Sequence, residues 1–223
     1  MKPMPSFSGL RGVTLRTLPE RRTVATMAAP DLGSWDPLSL ESVMDTFSPA
    51  PFRWWVTGGH ALELHLGRSW RTHEDTDIGV VRDELPAVYA LLSQWNTHIA
   101  ATGQLAPWRG QSLRRDLHQN NVWCRLSAAG PWVLDVTIGE GSDTAWIYRR
   151  NSSVQVSWDQ AVLHSADGVP YLAPELQLLY KSKGLRPKDN ADAAEVIPRL
   201  DDRQRDFLVR SLGRSHPWQR LLA

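Results

Sequence analysis

Apolar positions between residues 40 and 47 recur every three or four residues, which predicts a short amphipathic helix. Asp36 and Pro37 have the pattern of an N-cap followed by a first-turn proline, so we expect the helix to begin there. Pro49 and Pro51 follow the apolar positions and would end the helix.

Two short apolar runs come next, 52–57 (FRWWVT) and 77–81 (DIGVV), and both predict buried strands. A Gly-Gly pair at 58–59 would turn the chain after the first strand. Residues 60–66 are good helix formers, and Gly67 is typical of a helix C-terminus. The predicted order is helix, strand, turn, helix and strand.

Beyond the second strand, Asp83 is placed to cap a helix whose apolar side chains at 85, 88, 92 and 95 share one face. The runs 121–126 (NVWCRL) and 132–138 (WVLDVTI) are separated by the turn-like SAAGP and predict a β-hairpin. Together these elements predict an α/β (α+β) fold with a small mixed β-sheet and flanking helices.

Helical signals dominate after residue 170. Pro174 and Gly184 mark the start and end of one helix, Asp189 can begin a second, and the apolar positions of 207–212 belong to a third. The C-terminal third is therefore predicted to be helical.

These patterns divide the chain into three parts. Residues 1–30 are basic, rich in Ser and Thr and weakly periodic, which predicts a disordered tail; they lack the unbroken apolar stretch of a secretory signal. Residues 31–150 would form the core, and residues 151–223 a mostly helical C-terminal subdomain.

Charge and cysteine content narrow the class of protein. The 25 Lys and Arg residues nearly balance the 24 Asp and Glu residues, which disfavours a nucleic-acid partner. Cys124 is the single cysteine and cannot form an intramolecular disulfide, and no apolar run approaches the roughly 20 residues of a membrane helix. We expect a soluble, cytoplasmic protein, and the sequence leaves its oligomeric state open.

Three aspartates carry the candidate chemistry. Asp75 and Asp77 are two positions apart at the start of a predicted strand, so their side chains would share one face and could bind Mg²⁺. Asp135 lies inside an apolar strand, where an ionised carboxylate is costly unless a cation compensates it. Each feature also has a simpler explanation: a solvated acidic pair, a strand aspartate that faces water, and an ordinary tight turn at 58–59.

The combination favours a nucleotide site. The amides at a helix N-terminus that follows a Gly-Gly turn can bind phosphate, and nearby carboxylates can hold its metal. The sequence resembles the minimal nucleotidyltransferases of the polymerase-beta superfamily, in particular the branch with the aminoglycoside 2''-adenylyltransferases and lincosamide nucleotidyltransferases. The resemblance covers about 52–200 and is carried by VTGGHAL (56–62), Gly67-Arg68, RTHEDTD (71–77), WVLDV (132–136), YLAPELQLLYKSK (171–183) and RPKDNAD (186–192).

The resemblance implies a catalytic site in the sheet, packed against a helical subdomain, with ATP or another NTP bound between them. It implies that Asp75 and Asp77 bind the metal, and that Asp135 completes the metal site or takes a proton from the acceptor hydroxyl. Gly58 and Gly59 would approach the triphosphate.

The cationic residues of the site are less determined. Lys181 is expected to reach phosphate, in preference to Lys183, which cannot share its helix face. Arg71 could pair with phosphate or with a carboxylate such as Glu74, and His73 could orient Asp75 or be an ordinary buried histidine. Three further groups have open roles. Lys188, Asp189 and Asp192 would form a structural or acceptor-side cluster, and the Arg149-Arg150 pair would lie at phosphate or on a solvated face. The acidic and aromatic residues available to line the acceptor site are Glu140, Asp143, Trp146 and Trp158.

The resemblance therefore predicts adenylyl transfer to a hydroxyl of a small molecule, such as an aminoglycoside or a lincosamide, with release of pyrophosphate. Two alternatives stay open: a nucleotidyltransferase that modifies tRNA or protein, and a nucleotide-binding protein of the same fold without activity. The presence of all three aspartates argues against the last of these.

Overall fold

The computed structural model describes residues 32–223, so the predicted tail at 1–30 lies outside the described residues. The fold is mixed α/β, as predicted, with a ten-stranded mixed sheet and flanking helices. The strands are β1 (Trp54–Val56), β2 (Asp77–Val81), β3 (Asn96–Ala101), β4 (Gln104–Pro107), β5 (Asn121–Arg125), β6 (Leu134–Gly141), β7 (Ala145–Ile147), β8 (Gln155–Ser157), β9 (Val162–His164) and β10 (Pro170–Leu172). The helices are α1 (Leu40–Phe47), α2 (Gly58–Leu66), α3 (Leu85–Leu91), α4 (Trp158–Ala161), α5 (Pro174–Lys181), α6 (Pro187–Val196), α7 (Asp202–Ser211) and α8 (Gln219–Leu222), with 3₁₀ turns at Arg82–Glu84 and Ile197–Arg199.

The main path of the sheet has the order β4-β3-β5-β6-β2-β1-β10-β9, and β7 and β8 extend from β6. The pairs β2–β6 and β1–β10 are parallel, and the predicted hairpin is confirmed as the antiparallel pair β5–β6. β2 therefore lies in the middle of the sheet, between β6 and β1.

Two predicted helix starts are wrong. The N-cap of α1 is Ser39, whose Oγ accepts a hydrogen bond from the amide of Ser42 at 3.1 Å. Asp36 instead donates its amide to the carbonyl of Trp132 at 2.9 Å, because its segment runs alongside the sheet. Asp83 does not cap α3 but lies inside the 3₁₀ turn that precedes it.

Other predicted boundaries match closely. β2 has the predicted bounds, and α2 ends at Gly67, which has a left-handed φ of 65°. The division near residue 150 stays a prediction. β8, β9 and β10 follow it and still belong to the sheet, and after residue 150 the first helix of eight residues begins at Pro174.

Apolar side chains pack on both faces of the sheet. Ile78 and Val80 of β2 belong to a cluster with the buried residues of α1 and α3, whereas Val81 belongs to a second cluster with the C-terminal helices. Because side chains alternate along a strand, Asp77 and Gly79 lie on the same face as Val81. The face of β2 that carries Asp77 is thus directed toward the C-terminal helices.

Within the described part of the chain, every helix is too short or too polar to cross a bilayer.

Candidate active site

Strand pairing brings two of the three predicted carboxylates together. Asp77 and Asp135 are opposite each other in the parallel pair β2–β6, and the amide of Asp135 donates to the carbonyl of Thr76 at 2.9 Å. Asp75 lies two residues before β2. Asp135 is 8% exposed, whereas Asp75 and Asp77 are half-buried.

Burial and mutual repulsion disfavour ionisation of these carboxyls. Burial, followed by the charges of Asp135 and Asp75, raises the pKa of Asp77 well above its usual range. Burial also raises the pKa of Asp135 to about 7, and hydrogen bonds from Asn121 and Trp123 partly oppose that rise. Within residues 32–223, neither Asp75 nor Asp77 has an ion-pair partner within 4.0 Å. The surrounding residues, among them Lys181 and Lys188 near Asp77, therefore stabilise the ionised forms of these carboxyls only in part.

Asn121 and Trp123 hold the carboxylate of Asp135. Asn121 Nδ2 lies 2.9 Å from both carboxylate oxygens, and Trp123 Nε1 donates to Oδ2 at 3.1 Å. Sequence reasoning missed both residues. Their alternate positions on the strand that pairs with β6 were a usable signal, since side chains two apart on a strand share a face.

The Gly-Gly pair lies directly against Asp77. Gly58 has a φ of 71°, and a Cβ placed on it would lie 2.2 Å from Asp77 Oδ2, so only glycine fits. The Gly58 amide donates to Gln177 Oε1 at 3.0 Å, and the Thr57 hydroxyl donates to the same oxygen at 2.6 Å. The Gly58 amide therefore donates to α5, through a glutamine that lies within the YLAPELQLLYKSK motif but was given no role from the sequence.

Gly59 has an equally close contact with the segment that precedes the aspartates. A Cβ at Gly59 would lie 2.2 Å from Arg71 Nη2 and 2.3 Å from His73 Cε1. The His73 ring lies against the His60 ring, with centroids 3.9 Å apart and planes tilted by 33°, and its Nε2 lies 3.0 Å from Glu63 Oε1. His73 thus contacts α2, and in the part of the chain that the structure describes it forms no hydrogen bond or ion pair with Asp75.

Asp192 connects Lys181, which was expected to reach phosphate, with Arg71, for which phosphate was one of two predicted partners. Its buried carboxylate accepts two hydrogen bonds from Arg71, Nε at 2.9 Å and Nη2 at 3.1 Å, and lies 2.9 Å from Lys181 Nζ. Arg71 therefore pairs with Asp192 rather than with Glu74, which lies 3.6 Å from Lys188 Nζ. Asp189 lies 3.5 Å from Lys181 Nζ and binds Arg186.

A cavity of about 420 Å³ lies between the sheet and the C-terminal helices. Asp75 and Asp77 line it, as do Gly58, Gly59 and Asn121, and Trp146 and Tyr180 add aromatic surface. Its cationic lining residues are Arg71, Arg149, Arg150, Lys181, Arg186 and Lys188. One cavity therefore contains carboxylates that are only partly compensated and a cationic wall.

A second cavity, of about 860 Å³, shares Arg149 and Arg150 with the first and also includes Arg115 and Lys183. Its one carboxylate, Glu140, is bound by Arg82 at 2.8 Å and by Arg115 at 2.6 Å. Of the other residues considered for the acceptor, Asp143 is exposed at a turn, and Trp158 is buried in a tilted contact with Trp55.

The family model of the aminoglycoside-2''-adenylyltransferases matches residues 39–196. No curated protein sequence matches this chain. The lincosamide antibiotic adenylyltransferase LnuA, in a lincomycin-bound crystal structure, is 17% identical, with a TM-score of 0.46 over 69% of this chain and 90% of LnuA. ANT(2'')-Ia, in a crystal structure with adenylyl-2''-tobramycin, is 14% identical, with a TM-score of 0.42 over 82% of this chain and 92% of ANT(2'')-Ia.

Proposed function

Because this chain belongs to the aminoglycoside-2''-adenylyltransferase family, and so to the nucleotidyltransferases, we propose that it moves AMP from ATP to a hydroxyl of a small molecule. The acceptor class we propose is that of the aminoglycoside and lincosamide antibiotics, and the second product is pyrophosphate. The observation that carries the proposal is the 420 Å³ cavity, which places Asp75 and Asp77 among six cationic side chains. A nucleoside triphosphate with a bound divalent cation complements both kinds of charge.

The aspartates suit a divalent cation. Crowding and burial raise the pKa values of Asp77 and Asp135, so a bound cation would relieve a repulsion that the protein compensates only in part. The three aspartates do not form a set with all ligand atoms within 4.8 Å of one another, in contrast to His60, Glu63 and His73. Mg²⁺ fits such an open arrangement, because it keeps several waters and shares one or two protein carboxylates with substrate phosphates. When bound, it would neutralise charge on the phosphate oxygens.

We assign Asp135 as the base for the acceptor hydroxyl. The hydroxyl O–H bond breaks and its proton passes to the carboxylate, while the oxygen attacks the α-phosphorus and the bond to pyrophosphate breaks. A pKa of about 7 suits this role, because a base is most effective when its pKa is near the working pH. Asn121 and Trp123 keep the carboxylate in one orientation while it acts.

The cationic wall would hold the triphosphate. Arg71, Lys181, Arg186 and Lys188 each have a carboxylate partner, which fixes their positions. Within residues 32–223, Arg149 and Arg150 have no carboxylate within 4.0 Å, and their side chains donate only to carbonyl and hydroxyl oxygens. We therefore assign Arg149 and Arg150 as the cavity residues whose positive charge is least compensated by carboxylates and is available to bind an incoming anion.

One observation favours a second candidate, transfer to RNA. The 860 Å³ cavity contains Arg149, Arg150 and Lys183, none of which has a carboxylate partner in the described range, and its one carboxylate is already bound by two arginines. A polycationic acceptor finds no free carboxylate there, whereas an acceptor with phosphate groups would find cations.

The decisive experiment incubates the purified protein with α-labelled ATP, Mg²⁺ and, separately, aminoglycosides, lincosamides and tRNA. Pyrophosphate release together with a gain of one AMP in the mass of a drug supports the first candidate, and label on RNA supports the second. The control is the Asp75→Asn/Asp77→Asn protein, which should release no pyrophosphate with any acceptor. ATP binding without release of pyrophosphate in every arm would overturn both candidates.

A further inference from the structure

A second set of metal-ligating side chains lies outside the nucleotide cavity. His60 and Glu63 are three residues apart on α2, so they share one face of the helix, and His73 approaches them from the segment before Asp75. One ligand atom from each residue can be chosen so that all three lie within 4.8 Å of one another. None of the three lines the 420 Å³ cavity. We refer to them as the His-Glu cluster.

We propose that the His-Glu cluster is a binding site for a transition-metal ion of the Zn²⁺ class, separate from the aspartates. Two imidazoles and one carboxylate form a donor set that suits Zn²⁺, whereas Mg²⁺ prefers oxygen ligands alone. Zn²⁺ bonds of about 2.0–2.2 Å place tetrahedral ligand atoms roughly 3.3–3.6 Å apart. His73 Nε2 and Glu63 Oε1, 3.0 Å apart, would need to separate slightly, and His60 Nδ1, 4.0 Å from Glu63 Oε2, would need to approach slightly. The fourth position would be a water, because the His60 side chain is 22% exposed.

The first argument is the state of His73 Nε2. The side chain is 7% exposed, and its buried Nε2 lies 3.0 Å from Glu63 Oε1 but is not aligned for a hydrogen bond of good geometry. A buried polar atom with a poorly aligned partner is costly, and a bound cation is one of the few causes that explain it. His73 Nε2 faces a carboxylate oxygen, which is the other kind of ligand that the cation needs.

The second argument is the orientation of Glu63. Its Oε1 accepts hydrogen bonds from Ser69 Oγ at 2.9 Å, the Trp70 amide at 3.0 Å and the Arg71 amide at 3.4 Å. These three donors fix the carboxylate, and Oε2 is left on the side of His60, 4.0 Å from Nδ1. Outer hydrogen bonds that orient a ligand in this way are a regular feature of metal sites.

The site would link two parts of the protein that both contribute to the nucleotide cavity. α2 begins with Gly58 and Gly59, and the segment after it carries Arg71 and Asp75. His60 and Glu63 belong to the first part and His73 to the second. A metal bound to all three would therefore stabilise the contact of Gly59 with the segment at 71–73.

The competing explanation is a metal-free ion pair between His73 and Glu63, in which the His60 ring only lies against the His73 ring. The two explanations differ at His60. A metal site needs the His60 nitrogen, whereas an ion pair between the other two residues does not.

The test uses Co²⁺, which replaces Zn²⁺ and reports nitrogen ligation by its visible absorption. The starting protein is the Asp75→Asn/Asp77→Asn chain, so that the aspartates do not bind the probe. We expect one Co²⁺ per chain, displaced by Zn²⁺ and not by excess Mg²⁺. His60→Ala should weaken binding by more than the roughly 10- to 100-fold that loss of an outer hydrogen-bond partner costs.

His164→Ala in the same background is the matched control, because His164 is an exposed histidine outside the cluster, and it should bind Co²⁺ as before. His60 is partly exposed, so His60→Ala should fold, which circular dichroism without metal verifies. No Co²⁺ in the starting protein, or equal affinity in His60→Ala, overturns the proposal. Neither result depends on turnover, so the nucleotidyltransferase proposal stands or fails separately.

Discussion

Asp77 and Asp135 are opposite each other on two parallel strands, although 58 positions separate them in the chain. The pairing of β2 with β6 therefore brings two aspartates that are distant in sequence together in one acidic site. Gly58 completes the arrangement, since a Cβ at that position would occupy the space of the Asp77 carboxylate. The site depends on three elements that are distant in sequence.

Asp135→Asn should lower kcat by about 10²- to 10⁴-fold, because it removes the base and keeps the size of the side chain. Steady-state kinetics with ATP and the accepted hydroxyl compound would measure the loss. The control is Asp143→Asn, which changes an exposed carboxylate at a turn and should leave kcat unchanged. An Asp135→Asn protein with more than a tenth of normal activity would exclude Asp135 as the base.

The same substitution should stabilise the metal-free protein at high pH. The pKa of Asp135 is about 7 in the folded state against 3.8 as its ordinary value, so the folded state binds the proton more tightly. The stability that the protonated Asp135 carboxyl gives the wild type is then lost as the pH rises from about 4 to about 7, and the loss is complete above the pKa of the folded state. The free energy of unfolding of Asp135→Asn minus that of the wild type should increase by on the order of 2–4 kcal/mol when the pH is raised from 4 to 8.

Urea unfolding of both proteins at the two pH values, without divalent cations, measures this gain. Added Mg²⁺ should reduce the difference at pH 8, because a bound cation stabilises the ionised carboxylate of the wild type. A difference that does not change with pH would contradict the raised pKa.

Gly58→Ala and Gly67→Ala separate a steric effect from a backbone effect. Both glycines have left-handed φ values, 71° and 65°, but a Cβ at Gly67 meets nothing within 4 Å. Gly67→Ala should therefore cost only the roughly 1–2 kcal/mol of backbone strain and leave activity near normal. Gly58→Ala should lower the free energy of unfolding further and greatly reduce kcat, since Asp77 must move. Equal effects on thermal stability and kcat in the two proteins would refute the close contact.

The sequence pattern predicted an element correctly where the structural preference of its residues, the burial of its apolar side chains and the residues at its ends all indicate the same structure. β2 has its predicted bounds because an apolar run at the centre of a sheet is buried on both faces, and Gly67 ends α2 as expected. β3 and β4 were missed because neither is a β-branched or aromatic apolar run: β3 mixes polar and small residues, and β4 is a short, mostly exposed strand at the sheet edge. They are joined at Thr102 and Gly103, both with positive φ, and a threonine gives little signal for such a turn.

The site was predictable only where a residue type carries its own chemistry. The three aspartates and the Gly-Gly pair could be selected from the sequence as a combination that resembles a known family, although each of them alone has an ordinary structural explanation. Gln177 could not, since its role depends on α5 reaching the Gly58 amide 119 residues away. The partner of Arg71 was uncertain for the same reason: Glu74 is near in sequence, but Asp192 is near in space.

Lys181→Met should raise the KM for ATP by about 10- to 100-fold, the effect of losing one hydrogen bond to a charged group. Lys181 lines the 420 Å³ cavity and lies 2.9 Å from Asp192, so the variant should also unfold at lower urea concentration. Lys183→Met is the matched control: Lys183 is exposed and lines only the second cavity. A larger effect on the KM for ATP from Lys183→Met would reverse the assignment.

Asn121→Ala tests how the carboxylate of Asp135 is tuned. Asn121 lowers the pKa of Asp135 by donating to both of its oxygens, so its loss should raise that pKa. The base must be deprotonated, and the rate therefore falls as the pH drops below its pKa. In Asn121→Ala the acidic limb of the kcat profile should move to higher pH, while kcat at high pH recovers toward the wild-type value.

A bound cation lowers the pKa in both proteins, so the profiles must be compared at one Mg²⁺ concentration. A uniform loss of kcat at every pH would instead assign Asn121 a role in positioning substrate, which it could have because it lines the cavity.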